Sequence, residues 1–270
     1  MSWRKIALMS VLGFGFAFLY LPILILIIYS FNDGRLVTVW AGFSFKWYGV
    51  LFRNGALLDA AFLSLRLAAI SGVLAALLGT LAGLALGRAG KYPGRNLFNA
   101  LVAGPLVLPD VLLGISMLML FVFLEGWIGW PPQRGAMTIV LAHTTFGLCY
   151  VALIVQARLV GLNGQLEEAA MDLGAPPFKT LMVITVPMLA PAIISGFLLA
   201  FTLSLDDLVI ASFVTGPGAT TLPMKVFSQA RLGVKPEINA LATILISIVT
   251  TIAIVGAVLA ARPQKSGKGG

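Results

Sequence analysis

The stretch Gln165-Leu166-Glu167-Glu168-Ala169-Ala170-Met171-Asp172-Leu173-Gly174, with Ile184 and Pro187 downstream, separates two long apolar runs, 136–159 and 189–214. A charged, turn-rich segment between two such runs is a loop that a membrane bundle exposes to water, where it meets something soluble. The rest of the chain fits that frame. Of 270 residues, 59% are hydrophobic and 10% charged, with a mean hydropathy of +1.00. Soluble domains carry about 25% charged residues, so the composition excludes a soluble globular class.

Runs of about 20 apolar residues are long enough to cross a ~30 Å hydrocarbon core. The chain has them at 6–29, 61–87, 97–124, 136–159, 189–214 and 240–261. Lipid offers no partners for backbone N–H and C=O groups, so the spans are helices. The expectation is an all-α integral membrane protein, one transmembrane domain over 1–270, with a loop at 163–188. The first run follows Arg4 and Lys5, but it is too long for a signal peptide and no small-x-small cleavage site follows, so it reads as an uncleaved span. Cys149 is the one cysteine, which excludes an intramolecular disulfide.

The formal net charge of +8 is scattered over short loops, which suits topology signals and lipid headgroups better than nucleic acid. Arg88, Lys91 and Arg95 cluster in one short loop, and Arg262, Lys265 and Lys268 in the C-terminal tail, with no acid nearby. This density places both termini and the 163–188 loop on the cytoplasmic side. Trp40, Phe43, Phe45, Trp47, Tyr48 and Phe52 in the first outer loop suit a segment lying in the interface.

Within the spans, small residues repeat at Ala75, Gly79, Gly83 and Gly87, a stripe that lets another helix come close. Pro105 and Pro109 bend or break the third span, and Asp110 follows them. Asp110 is either a pathway residue or a helix-packing carboxylate. Asp206 and Asp207 lie beside Ser204 in the fifth run. A carboxylate at membrane depth costs about 2.5–3.5 kcal/mol on insertion scales, so the pair needs either a water-lined pathway or polar partners on another helix. Their directions differ by about 100° on a helix, so one acid can serve each purpose. His143 reads as an interhelical hydrogen-bond partner in preference to a proton relay. No GxSxG, HExxH, CxxC pair or phosphate-binding Gly-x4-Gly-Lys-Ser/Thr motif is present.

In the loop, Gln165–Leu173 reads as a helix ended by Gly174. Pro176 and Pro177 then open a second helix that Pro187 closes. Glu168-Ala169-Ala170, Gly174, Ile184 and Pro187, at this spacing, resemble the EAA loop of permease subunits of ATP-binding-cassette importers; Val186 stands where that family usually has Leu. The segments Phe201–Phe213, Gly216–Pro223 and Pro236–Ala240 are similar to the polyamine branch of that family.

The resemblance covers nearly the whole chain and implies a six-span type I importer permease fold. It implies a complex with a homologous second permease, two cytoplasmic ATPases and a periplasmic polyamine-binding protein. It also implies putrescine or spermidine as cargo, no enzymatic activity or cofactor in this chain, and ATP with magnesium on the partner ATPases. Glu168, Ala169, Ala170, Gly174, Ile184 and Pro187 would then couple to the ATPase. Asp206, Asp207 and Asp110 would line the pathway for a polycation, with Asp206 or Asp207 first. Lys225, Arg231 and Lys235 in an outer loop would meet the acidic rim of the binding protein. A proton-coupled secondary transporter or channel for cations is the alternative, and it leaves the loop spacing unexplained.

Overall fold

Helices account for almost the whole of the computed structural model, which describes residues 3–260 apart from 37–38, 89, 91, 163 and 233–234. Lys91, Arg262, Lys265 and Lys268, on which the orientation rests, lie outside the described residues, as does Ala261 at the end of the sixth run. The helices are α1 (Trp3–Tyr29), α2 (Lys46–Arg53), α3 (Gly55–Arg88), α4 (Arg95–Val107), α5 (Asp110–Ile128) and α6 (Ala136–Val160). After these come α7 (Gln165–Asp172), α8 (Pro177–Thr180), a π turn (Leu181–Thr185), α9 (Val186–Asp206), α10 (Val209–Val214), α11 (Leu222–Leu232) and α12 (Pro236–Ala260). No strand occurs among the described residues; one isolated bridge pairs Asn32 with Phe43. The chain forms two compact units, residues 59–225 and residues 1–58 with 226–270.

In the unit made of the chain ends, α1 and α2 pack on α12. Helix α2 is amphipathic and buries Trp47 and Leu51. The indole Nε1 of Trp47 donates to the backbone carbonyl of Asn32 at 2.7 Å. The buried Asn32 amide group ties down its own loop: Oδ1 accepts from Gly34 and Ala41, and Nδ2 donates to the carbonyls of Leu36 and Val39. Asn54 caps the start of α3 through Oδ1 and donates from Nδ2 to Glu237 at 3.1 Å. Glu237 is therefore a buried, bonded carboxylate.

The central unit is built on α6. Ile139, His143, Gly147, Val151, Val155 and Leu159 recur every four residues on one stripe, and all are buried. Two stripes of small residues close on it. On α3, a Cβ at Gly79 would come within 2.5 Å of Val151 Cβ, and one at Gly83 within 2.9 Å of Val155 Cβ. On α9, Ala192, Gly196, Ala200 and Ser204 are buried at the same four-residue spacing. Gly147 sits between them, its Cβ position 3.1 Å from the methyls of both Ala75 and Ala200. In lipid, close dispersion contact replaces the hydrophobic effect as the force between helices, and small residues make it possible.

The structure corrects two expectations from sequence and decides another. Of the bend or break that Pro105 and Pro109 allow in the third run, it shows the break. Leu108 is extended and Pro109 starts a new helix, so α5, and not 97–124, is long and apolar enough to cross the membrane. A proline has no N–H to donate and pushes the residue before it out of the helical region. The fifth run also breaks, between Asp206 and Val209. Asp206 and Asp207 therefore stand at a helix end instead of inside an apolar helix. Third, the second loop helix does not close at Pro187. The helical path runs on from Pro177 to Asp206, because the π turn closes with Val186 N–H donating to Leu181 C=O. This wider ring absorbs the missing donor and the ring bulk of Pro187.

Candidate functional site

At one end of the central unit, α7 stands off the bundle. It has no buried residue. Its exit is a left-handed glycine cap: Gly174 has φ +84°, Gly174 N–H donates to Met171 C=O at 2.9 Å, and Ala175 N–H to Ala170 C=O at 3.0 Å. This is the paired bonding of a Schellman cap, and a side chain at Gly174 would have to adopt a conformation that L-residues avoid. Pro176 is extended and Pro177 opens α8. The bend presents Leu166, Leu173 and Phe178 to the outside, with Leu173 89% and Phe178 72% exposed. Glu168, Ala169 and Pro187 are exposed, and Ala170 and Ile184 are half-buried. The spacing that drew attention in the sequence thus encodes a cap and a turn that hold apolar side chains outward.

Glu167 and Thr185, bonded to each other in this region, were not singled out from sequence. Glu167, the residue before Glu168, turns toward the bundle. Its Oε1 accepts from Thr185 Oγ1 at 2.7 Å and pairs with Arg88 at 3.2 Å. The available signal was two adjacent acids on a short helix, which must point about 100° apart.

At the other end of α6 lies a polar node. His143 is buried and bridges α6 to the end of α9: Nδ1 is 2.6 Å from Ser204 Oγ, and Nε2 is 3.0 Å from Asp207 Oδ2. An ionised carboxylate only accepts, so Nε2 carries the proton, and in the neutral ring Nδ1 accepts from the Ser204 hydroxyl. Asp207 also opens α10, accepting from the backbone N–H of Ile210 at 3.2 Å and Ala211 at 2.7 Å. Both its oxygens are engaged. Asp206, in contrast, is exposed at the last position of α9. Asp110 is exposed at the first position of α5, whose helix packs on α10. The structure therefore brings Asp110 and Asp206 to two neighbouring helix breaks and separates the roles of Asp206 and Asp207.

The three cations expected to meet a partner differ in setting. On α11, Lys225 is half-buried and Arg231 is exposed with its guanidinium 4.5 Å from the Phe227 ring; Lys235 is exposed just before α12.

Residues 75–264 match the family described as binding-protein-dependent transport system inner membrane component. The chain is 56% identical over 239 residues to the putrescine transport system permease protein PotI of Escherichia coli K12, covering 88% of this chain and 85% of that one. It is 40% identical over 244 residues to the spermidine/putrescine transport system permease protein PotC of the same organism, covering 90% and 89%. Among solved structures, a bacterial ABC transporter involved in the import of the acidic polysaccharide alginate superposes with a TM-score of 0.70 at 16% identity, covering 96% of each chain. At that identity the likeness is one of fold alone. Its cargo is acidic, so the shared fold does not carry a cargo with it.

Proposed function

The chain belongs to the family of binding-protein-dependent transport inner-membrane components, and on that premise we propose that it is the polyamine-moving permease of an ATP-binding-cassette importer. Putrescine is the first cargo and spermidine the second, following the relatives named PotI and PotC. The observation that carries the cargo is the exposed Asp206 at the end of α9, next to Asp207, whose own oxygens are already engaged. A diamine needs negative charge along its route, and a carboxylate at membrane depth is costly to keep without a use. Asp206 and Asp110 neutralise the passing amines. Asp207 holds the break open from behind.

The complex comprises this chain, a homologous permease, two ATPases and a periplasmic polyamine-binding protein. ATP and magnesium are bound by the ATPases, and this chain performs no hydrolysis. The loop 163–188 and both termini face the cytoplasm. Leu173 and Phe178, held out by the Gly174 cap, seat in the ATPase, with Glu168 bonding to it and Ala169 and Ala170 allowing close approach. Closure of the ATPases then rocks the α3–α6–α9 body between inward and outward states. On the outer side, Lys225, Arg231 and Lys235 meet acidic residues of the binding protein; cations there would repel a free polyamine, so they suit docking.

Uptake of radiolabelled putrescine by the reconstituted complex tests the assignment. Asp206→Asn lowers uptake by about tenfold or more, the weight of one charge-assisted contact, without lowering the yield of folded complex. Wild-type uptake in Asp206→Asn would remove Asp206 from the pathway.

A further inference from the structure

Helix α7 poses a mechanical problem. No residue of α7 is fully buried, so apolar packing holds it weakly, yet a docking helix transmits force only if it is held to the spans it must move. Glu167 supplies a polar tie. The Glu167 side chain is only 20% exposed, and the same Oε1 receives Thr185 Oγ1 at 2.7 Å and Arg88 at 3.2 Å. The two donors belong to different spans. Arg88 is the last residue of α3, while Thr185 is the last residue of the π turn at the foot of α9 and is 3% exposed. Beside this contact lies a cavity of about 450 Å³ lined by Leu84, Met171, Thr180 and Leu181, which leaves α7 room to tilt if the tie is lost.

The place of the tie is as telling as its strength. A π turn holds one extra residue in its ring, and such turns occur mostly as single-turn bulges at functional positions. Reverting it to α-helical spacing would rotate the preceding chain by about 100° relative to α9. A carboxylate from α7 bonded to the last residue of the turn holds that rotation at one value. Through Arg88 the same carboxylate reaches α3, whose Gly83 and Gly87 lie against Val155 and Leu159 of α6. Motion of α7 thus enters both helices that clamp α6.

We infer that Glu167 is a positioning residue that latches the coupling helix to the π turn of α9 and the end of α3, so that movement of the docked ATPase reaches the transmembrane body. The latch rests on the importer assignment and is independent of the cargo.

The test uses the complete complex of permeases and ATPases in lipid nanodiscs and liposomes. Thr185→Val keeps the shape of the buried side chain and removes only the hydroxyl; Thr185→Ser restores it. Glu167→Gln keeps an acceptor for Thr185 and loses the charge facing Arg88. In Thr185→Val, hydrogen exchange at the amides of 165–172 speeds up, and uptake per ATP hydrolysed falls about fivefold or more, the range of a coupling interaction. Thr185→Ser returns both readouts to wild type, and Glu167→Gln lies between. Faster exchange in Thr185→Val, in a complex whose wild type moves no polyamine, would support the latch and count against the cargo alone. Wild-type exchange and wild-type uptake per ATP in both Thr185→Val and Glu167→Ala would overturn the latch.

Discussion

The two ends of α6 solve opposite problems. At His143 a chain of polar groups closes inside the fold: Ser204, Asp207 and the first amides of α10 bond to one another. Sixteen residues on, roughly 24 Å away along the helix axis, α7 and its bend leave Leu173 and Phe178 exposed, and no residue of α7 is fully buried. The first region spends its polar groups on one another, and the second leaves apolar side chains open to its surroundings. A buried polar group left unpaired in a low-dielectric interior is costly, so it must be satisfied within the fold. An apolar side chain can stay in water at modest cost until a partner covers it. The contrast separates a part that sets geometry from the part that, on the proposed function, receives force.

Substitutions sharpen this contrast, taken in falling order of their effect on the stability of the subunit itself. Gly83→Leu should be the most severe, because its Cβ alone would lie 2.9 Å from the Ala152 carbonyl and Val155 Cβ. Overpacking of a tight core costs about 1–3 kcal/mol and sometimes more, so the yield of monodisperse protein in detergent collapses. His143→Ala strands the Ser204 hydroxyl and removes a donor from Asp207, at a cost of about 1–3 kcal/mol. A thermal melt of the purified subunit checks it; an unchanged Tm would mean that the node is not self-contained. Gly174→Asp forces a side chain onto φ +84° and costs about 1 kcal/mol locally. Its effect on function is far larger: the subunit inserts, but uptake is abolished. Phe178→Ala is the mildest, within about 0.5 kcal/mol for an exposed site, yet the ATPase no longer co-purifies. If stability and function instead fell together along this series, the division between the two ends of α6 would be wrong.

Much of the α7 end was legible in the sequence, because its devices are local. A glycine cap, a pair of prolines and a run of helix formers act within a few residues of one another, so spacing alone conveys them. The π turn escaped notice since Pro187 reads locally as a stop. Only the continuing contact of α9 with α6 makes it worthwhile to widen the turn and carry on. Glu167 was passed over for Glu168 for a related reason. Two adjacent acids on one short helix look alike until Arg88 and Thr185, 79 and 18 residues distant, show which of them faces the bundle.

Apolar run length, the small-residue stripe on α3 and the order of charged loops were set by the sequence alone, since membrane thickness and helical period act on every segment independently. The breaks were partly announced by Pro109 and by the acids themselves. Which of Asp206 and Asp207 is consumed by structure was decided only in the tertiary fold. Adjacent side chains leave a helix end in different directions, and nothing nearby in sequence distinguishes them. The distinction comes from His143, 64 residues earlier, brought alongside by close packing of α6 on α9. It occupies Asp207 and leaves Asp206 exposed.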